Sequence, residues 1–186
     1  MANRPGHCDR RRFLRLAAAA GATLLVPAPL LALARRAAPE ERRLELAMIH
    51  TGEHAVVPFR RGGRPVPGAL DRLARLLRDH RTGAVHPIDP RLPDLLWEVA
   101  REAGAAPRFT VISGYRSPAT NALLRRQGHH VATHSYHLQG RAADVRLAGV
   151  TVTDLADAAR SLRTGGVGLY RRDDFVHLDT GPYRTW

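Results

Sequence analysis

The sequence predicts an α+β fold, a mainly antiparallel β-sheet flanked by helices within a single domain. Three observations predict it: short apolar runs with strand-like alternation, hairpin-length connections between them, and leucines at helical spacing in the intervening stretches. No internal repeat or long low-complexity linker interrupts residues 44–186, and 186 residues are ample for one buried core but too few for a multidomain machine.

Leu44 to His50 alternates loosely as a strand, and Ala55 to Phe59 is its return partner after the Thr51-Gly52-Glu53 turn. Pro65, Pro67 and Gly68 break the chain. Leu70, Leu73, Leu76 and Leu77 then follow at helical spacing, as do Leu92, Leu95, Leu96 and Val99 after Pro90, and both stretches predict amphipathic helices. Phe109 to Ile112 is a short strand. Ser117-Pro118 opens a third helix through Leu124, with proline in the first turn, where its missing N–H is not needed. Gly128 to Ser135 reads as a loop, Ala142 to Leu147 as a strand and Asp154 to Leu162 as a helix. Gly165-Gly166 turns into the final strands, Val167 to Tyr170 and Phe175 to Asp179.

Ahead of this domain stands an address. Arg10, Arg11, Arg12, Phe13, Leu14 and Arg15 precede an uncharged apolar run from Leu16 to Ala34, a basic region followed by a hydrophobic one. The pattern resembles the bacterial twin-arginine export signal, with Arg15 where lysine is commoner and Asp9 where serine or threonine is usual. Ala32-Leu33-Ala34 offers a small-x-small cleavage site, which divides the chain into a leader (1–34), a short segment (35–43) and the domain (44–186). An uncleaved membrane anchor is the competing reading, but Gly21, Pro27 and Pro29 interrupt the run and alanine dominates it, so no stable span is expected after processing.

All 29 cations of the chain are arginine, against 17 acids, a net charge of +12. The leader carries five arginines and one aspartate, so the mature chain keeps 24 cations, 16 anions and a net +8. That excess calls for an anionic partner. A nucleic-acid module is disfavoured, because aromatic platforms are scarce, no basic helix stands free of apolar residues, and an exported protein meets no genome. The single cysteine, Cys8, lies in the leader, so any metal site must be built from His, Asp and Glu.

Four of the ten histidines fall between His129 and His137. His129, His130 and His134 read as a solvated loop, and His50, His80 and His86 as structural. His137 differs by its context, Ser135-Tyr136-His137-Leu138-Gln139-Gly140-Arg141-Ala142-Ala143-Asp144, in which Gly140 permits a bend and Asp144 sits inside the next strand. Strand parity places Ala142, Asp144 and Arg146 on one face of that strand, and places His177 with Asp179 on one face of the last. A carboxylate inside a strand needs a cation or a donor. His137, Asp144 and His177 would supply the three protein ligands of a catalytic zinc site.

These segments resemble a known family. Ser135 to Asp144, Ser-Gly-Tyr-Arg-Ser at 113–117 and Phe-Val-His-x-Asp-x-Gly at 175–181 are similar to the zinc peptidases related to D-Ala-D-Ala dipeptidase, lysostaphin and the hedgehog amino-terminal domain. Within that group they look most like the YcbK-like branch, which includes murein endopeptidase K. His50 to Glu53, Leu77 to Gly83 and Pro182 to Trp186 extend the likeness over nearly the whole mature chain. The resemblance implies a hedgehog-like fold, one Zn2+ per chain held by His137, Asp144 and His177, and a periplasmic or wall-associated enzyme that cuts peptide cross-links in peptidoglycan, with peptide stems as its partner.

Carried over residue by residue, the family's general base falls on Asp174, three positions before His177, and its pocket arginine on Arg116, which would hold a substrate carboxylate or the tetrahedral oxyanion. In a regular strand Asp174 and His177 would face opposite sides, so Asp174 must lie in the preceding turn. Asp179 shares the parity of His177 and competes as base or as a carboxylate orienting an imidazole. Ser135 is expected to hydrogen-bond substrate, while Tyr115, Asn121 and Trp186 are expected to pack. The alternatives are a D,D- or L,D-carboxypeptidase of the wall, and a non-catalytic wall module in which the metal only staples the fold.

Overall fold

The computed structural model describes residues 40–128 and 132–186. The expected leader, positions 35–39 of the segment after it, and His129 and His130 lie outside the described residues. Among those described, no helix is long and apolar enough to cross a membrane.

One eight-stranded sheet runs through the domain. Its strands are β1 (Glu41–Met48), β2 (His54–Arg61), β3 (Arg64–Pro65), β4 (Arg108–Ser113), β5 (Ala142–Leu147), β6 (Gly166–Tyr170), β7 (Phe175–Asp179) and β8 (Arg184–Thr185). Four helices accompany it: α1 (Ala69–Leu76), α2 (Arg91–Glu102), α3 (Pro118–Arg126) and α4 (Val152–Ser161), with a 3₁₀ turn at Tyr136–Gln139. The strand order is β3-β2-β1-β4-β5-β7-β6-β8. Every pairing is antiparallel except β1 with β4 and β6 with β8. The expected α+β architecture with a mainly antiparallel sheet is therefore present, the two parallel pairings making the sheet mixed. Nearly sixty residues, including β2, β3, α1 and α2, separate β1 from β4, enough for a parallel crossover.

Local chemistry sets the element ends. Ser117 caps α3 through an Oγ that accepts from the Thr120 N–H at 3.2 Å, with Pro118 in the first turn. Helix α4 begins at Val152, two residues earlier than its leucine pattern predicts, because Thr151 caps it and accepts from the Asp154 N–H.

The hydrophobic core lies on one face of the sheet. Leu44 and Leu46 of β1, Phe109 and Val111 of β4, Ala143 and Val145 of β5, and Val176 and Leu178 of β7 are buried there with Leu92, Leu96 and Val99 of α2 and Leu155, Ala156 and Ala159 of α4. Each fully buried leucine or valine contributes about 1.5–3 kcal/mol of transfer free energy. With that face committed to hydrocarbon, the period-two alternation turns Asp144, His177 and Asp179 the opposite way.

Candidate active site

Strands β5 and β7 pair so that Asp144 lies directly opposite His177, and Ala142 opposite Asp179. Such cross-strand neighbours have Cβ atoms roughly 4.5–5.5 Å apart, close enough to share an ion. The third side chain arrives from the 3₁₀ turn. Ser135 caps that turn, its Oγ accepting from the His137 N–H at 3.3 Å, and Gly140 ends it in the left-handed region at φ 63°. A side chain at 140 would also run into the Pro87 carbonyl, so both backbone and space require glycine. The segment after β4 pins the turn from the other side, with the Arg116 N–H donating to the His137 carbonyl at 3.1 Å.

His137 Nε2, His177 Nδ1 and Asp144 Oδ1 form a triangle with edges of 3.1, 2.9 and 3.2 Å. The outer nitrogens fix what the inner ones offer. His137 Nδ1 lies 2.6 Å from the Gly114 carbonyl, which can only accept, so the proton sits on Nδ1 and leaves Nε2 with a lone pair. His177 Nε2 donates to Asp179 Oδ2 at 2.9 Å, which leaves Nδ1 facing inward. Three acceptors thus converge in a site where all three residues are buried. Tetrahedral zinc with bonds of ~2.0–2.2 Å sets its ligand atoms roughly 3.3–3.6 Å apart, a few tenths of an ångström wider than the triangle, and this donor set suits it. It is the one such cluster among the described residues.

Burial pushes His137 below its ordinary pKa, against the pull of Asp144. Burial would also raise Asp144, but His137 and His177 outweigh it and hold the carboxyl well below the usual range. For His177 burial is outweighed by the carboxylates of Asp144 and Asp179, and the ring is pushed up, so a proton on Nδ1 competes with a cation for the triangle.

Behind His177, Asp179 is fully buried (0% exposed). Besides His177 it accepts from the backbone N–H groups of Gly166 and Gly181 and, on both oxygens, from the Arg184 guanidinium. Desolvation is outweighed by these donors, and its carboxyl too is held well below the usual range. Nothing in the alternation of the sequence singles out Arg184, which sits on a two-residue strand.

His137, Asp144, His177, Arg116 and Ser135 all line one groove of about 1060 Å³. Arg116 is 9% exposed, with Nη2 at 3.8 Å from Asp144 Oδ2 and a single long hydrogen bond to Asn121 at 3.5 Å. Burial lowers its pKa, with Asp144 opposing. Most of its donors are therefore left for another anion. Asp174 lies in the turn before β7, at φ 54°, as the parity conflict requires. Its carboxylate is solvent-exposed and 3.0 Å from Arg146 Nε, and Arg146 also donates to the backbone carbonyls of Asp173 and Asp174. Asp173 rather than Asp174 is among the groove-lining residues.

His134 is exposed at the groove wall, and His50 lines the groove while stacking on His80. His86 stacks on Tyr115. Asn121 donates to the Ala132 carbonyl, and Trp186, besides packing, walls the groove with its ring 5.3 Å from that of His177. Asp79, to which sequence reasoning assigned no role, is 2% exposed and accepts from the N–H groups of Arg81, Thr82 and Ser117, tying the turn after α1 to the Arg116 segment.

A family model described as peptidoglycan L,D-endopeptidase MepK matches residues 36–186. The peptidoglycan L,D-endopeptidase MepK of Escherichia coli K12 is 39% identical over 178 residues, covering 96% of this chain and 97% of its own. A Haemophilus influenzae protein named a probable peptidoglycan L,D-endopeptidase MepK is 40% identical over 179 residues, 96% of this chain and 95% of its own. The Shigella flexneri MepK is 39% identical over 178 residues, with coverage of 96% and 97%. No solved structure matches the chain significantly. The convergent His-Asp-His triangle thus sits in a chain that belongs to the peptidoglycan L,D-endopeptidase MepK family of M15 peptidases.

Proposed function

We propose that this chain is a zinc-dependent peptidoglycan L,D-endopeptidase, exported by the twin-arginine route to act in the periplasm or on the wall. The observation that carries the reading is the buried triangle of three acceptors opening onto a groove large enough for a branched peptide. His137, Asp144 and His177 hold the ion. When bound, it supplies Lewis-acid polarisation of the scissile carbonyl and lowers the pKa of water beside it.

Arg116 places its free N–H donors where charge develops on the carbonyl oxygen or where a stem-peptide carboxylate must be held. Asp174, the position on which the family's general base falls, takes the proton of the attacking water and passes it to the leaving amine in this reading; its carboxylate is paired with Arg146 and lies outside the groove lining, so the role requires that pair to open. Asp179, saturated by donors, keeps no lone pair free for that task and instead orients His177. The Ser135 hydroxyl accepts from His137 N–H and retains its own proton for substrate. The groove reaches from Ile49, beyond β1 on one side of the triangle, to Tyr170 and Trp186 beside β6 and β8 on the other, which favours a cut within a chain over removal of a terminal residue.

The test is digestion of isolated sacculi by purified zinc-loaded protein, with and without chelator, followed by chromatography of the muropeptides. Products from L,D cross-links that vanish with chelator are expected. Release of terminal residues alone would make the protein a carboxypeptidase, and no release from any cross-link would make it a binding module.

A further inference from the structure

Arg184 lines the groove and reaches the triangle from the Asp179 side of the His177 ring. Its Nη2 donates to Asp179 Oδ2 at 2.6 Å, the same oxygen that accepts from His177 Nε2 at 2.9 Å, and its Nη1 reaches Oδ1 at 3.1 Å. This is a two-pronged clasp on a carboxylate with no solvent exposure. The guanidinium also rests beside two aromatic rings, 4.9 Å from Tyr136 and 5.0 Å from Trp186. Strand β8 delivers it: Arg184 N–H donates to Gly165, Trp186 N–H to Val167, and Leu169 N–H to the Trp186 carbonyl. At Gly166 any side chain would collide with the Asp179–Arg184 pair, so the glycine leaves the room that the clasp occupies.

We propose that Arg184 is a positioning residue for the metal centre, which acts through Asp179 to hold the His177 ring with Nδ1 turned toward Asp144 and His137. The inference rests on the metal reading of the triangle given above. A carboxylate held at both oxygens cannot rotate, so the acceptor that His177 Nε2 donates to stays in place. The ring then cannot flip to present the protonated nitrogen to the ion. Arg141 provides a contrast within the same cluster. It lies 4.6 Å from the Tyr136 ring, but it is bound to Asp89 and Thr180 and does not touch Asp179. If the role of Arg184 were only to fasten the end of the fold, loss of Arg141 would have comparable consequences.

The test is zinc affinity, by competition with a chromophoric chelator, on the purified protein carrying Arg184→Ala, Arg184→Gln, Arg184→Lys, Asp179→Asn, the Asp179→Asn/Arg184→Ala pair, or Arg141→Ala. Loss of such a supporting contact costs about 10–100-fold in affinity, so Arg184→Ala is expected to bind zinc about tenfold more weakly, with partial recovery in Arg184→Lys. In the Asp179→Asn background Arg184→Ala is expected to add less than about threefold, and Arg141→Ala to stay within about twofold of the parent. In cobalt-substituted protein, Arg184→Ala and Asp179→Asn are expected to shift the visible absorption alike. Circular dichroism reports folding, and if the alanine variant is unfolded the glutamine variant, which keeps most of the aliphatic stem beside the rings, is read in its place. The proposal is overturned by parent-like zinc affinity in Arg184→Ala, by an undiminished loss in the Asp179→Asn background, or by an equal loss in Arg141→Ala. A parent that binds no zinc at all would overturn the metal reading itself.

Discussion

Strands β5 and β7 carry two chemistries back to back. On one side Ala143, Val145, Val176 and Leu178 are buried against the helices; on the other Asp144, His177 and Asp179 are buried almost as completely. The difference lies in how burial is compensated. Hydrocarbon needs only close packing, whereas each polar group needs a partner for every lone pair and proton taken from water. Asp179 meets that demand with five donor contacts. In the Asp144 triangle the three groups instead face one another, an arrangement that a cation would complete. One face holds the chain together, and the other is the face proposed to hold a cation.

The sharpest way to separate the faces is to substitute residues next to each other in register. Asp144→Asn removes the anionic ligand while keeping its shape. Bound zinc, measured by metal analysis after gel filtration, is expected to fall below stoichiometric, and release of muropeptides to drop by more than about 100-fold, while the metal-free protein remains folded. Full zinc content with full turnover would remove Asp144 from the site. Leu178→Ala, adjacent to His177 but on the hydrocarbon side, is expected to do the converse. It should cost about 2–5 kcal/mol in urea unfolding and leave zinc stoichiometry intact under conditions where it is folded. A loss of zinc without a loss of stability would mean that the two faces are not separable.

Asp79 tests whether compensation by hydrogen bonds alone can carry a buried carboxylate. Burial would raise its pKa, but donation from Ser117 and Thr120, with Arg81, overrides this and holds it well below the unfolded value of about 3.9. A depressed folded-state pKa stabilises the fold at every pH above about 4, and that stabilisation is lost as the carboxyl is protonated at lower pH. Asp79→Asn is therefore expected to lower stability by about 1–3 kcal/mol at pH 7. The gap between parent and variant should narrow at pH 3 in matched urea titrations, and a gap that stays constant with pH would refute the charge-based account.

The contrast between the faces was partly legible in the sequence. Period-two alternation puts Asp144 opposite in sense to Val145, and His177 opposite to Leu178, without any knowledge of neighbours. What alternation cannot supply is long-range register: Asp144 meets His177 because β5 and β7 pair with no offset, a fact encoded in packing rather than in either strand. Arg184 and Asp79 were hidden for a related reason. One lies on a strand of two residues and the other in a turn, so neither belongs to a periodic pattern, and their partners are set by the fold. Asp174 was singled out by the family resemblance alone, and parity with His177 supplied only its place in the turn, where it takes φ 54° beside Arg146.

Ser135 gives the smallest expected effect and probes the seam between the faces, where a structural contact and a chemical one share one oxygen. Its Oγ accepts from the His137 N–H, so Ser135→Ala leaves that donor unpartnered at the start of the turn. Loss of a cap of this kind costs about 1 kcal/mol, roughly 2–4 °C in melting temperature for a chain of this size. His137 itself remains held by the Gly114 carbonyl on its ring and the Arg116 N–H on its backbone, so zinc affinity is expected to stay within about threefold of the parent. If the hydroxyl proton also meets substrate, the same variant raises KM with little change in kcat, because that contact is equally present before and during bond cleavage. A lowered kcat with unchanged KM would instead assign Ser135 to His137 alone, through slight displacement of the imidazole. A loss of zinc as large as that of Asp144→Asn would show that the cap, and not the strand pair, sets the triangle.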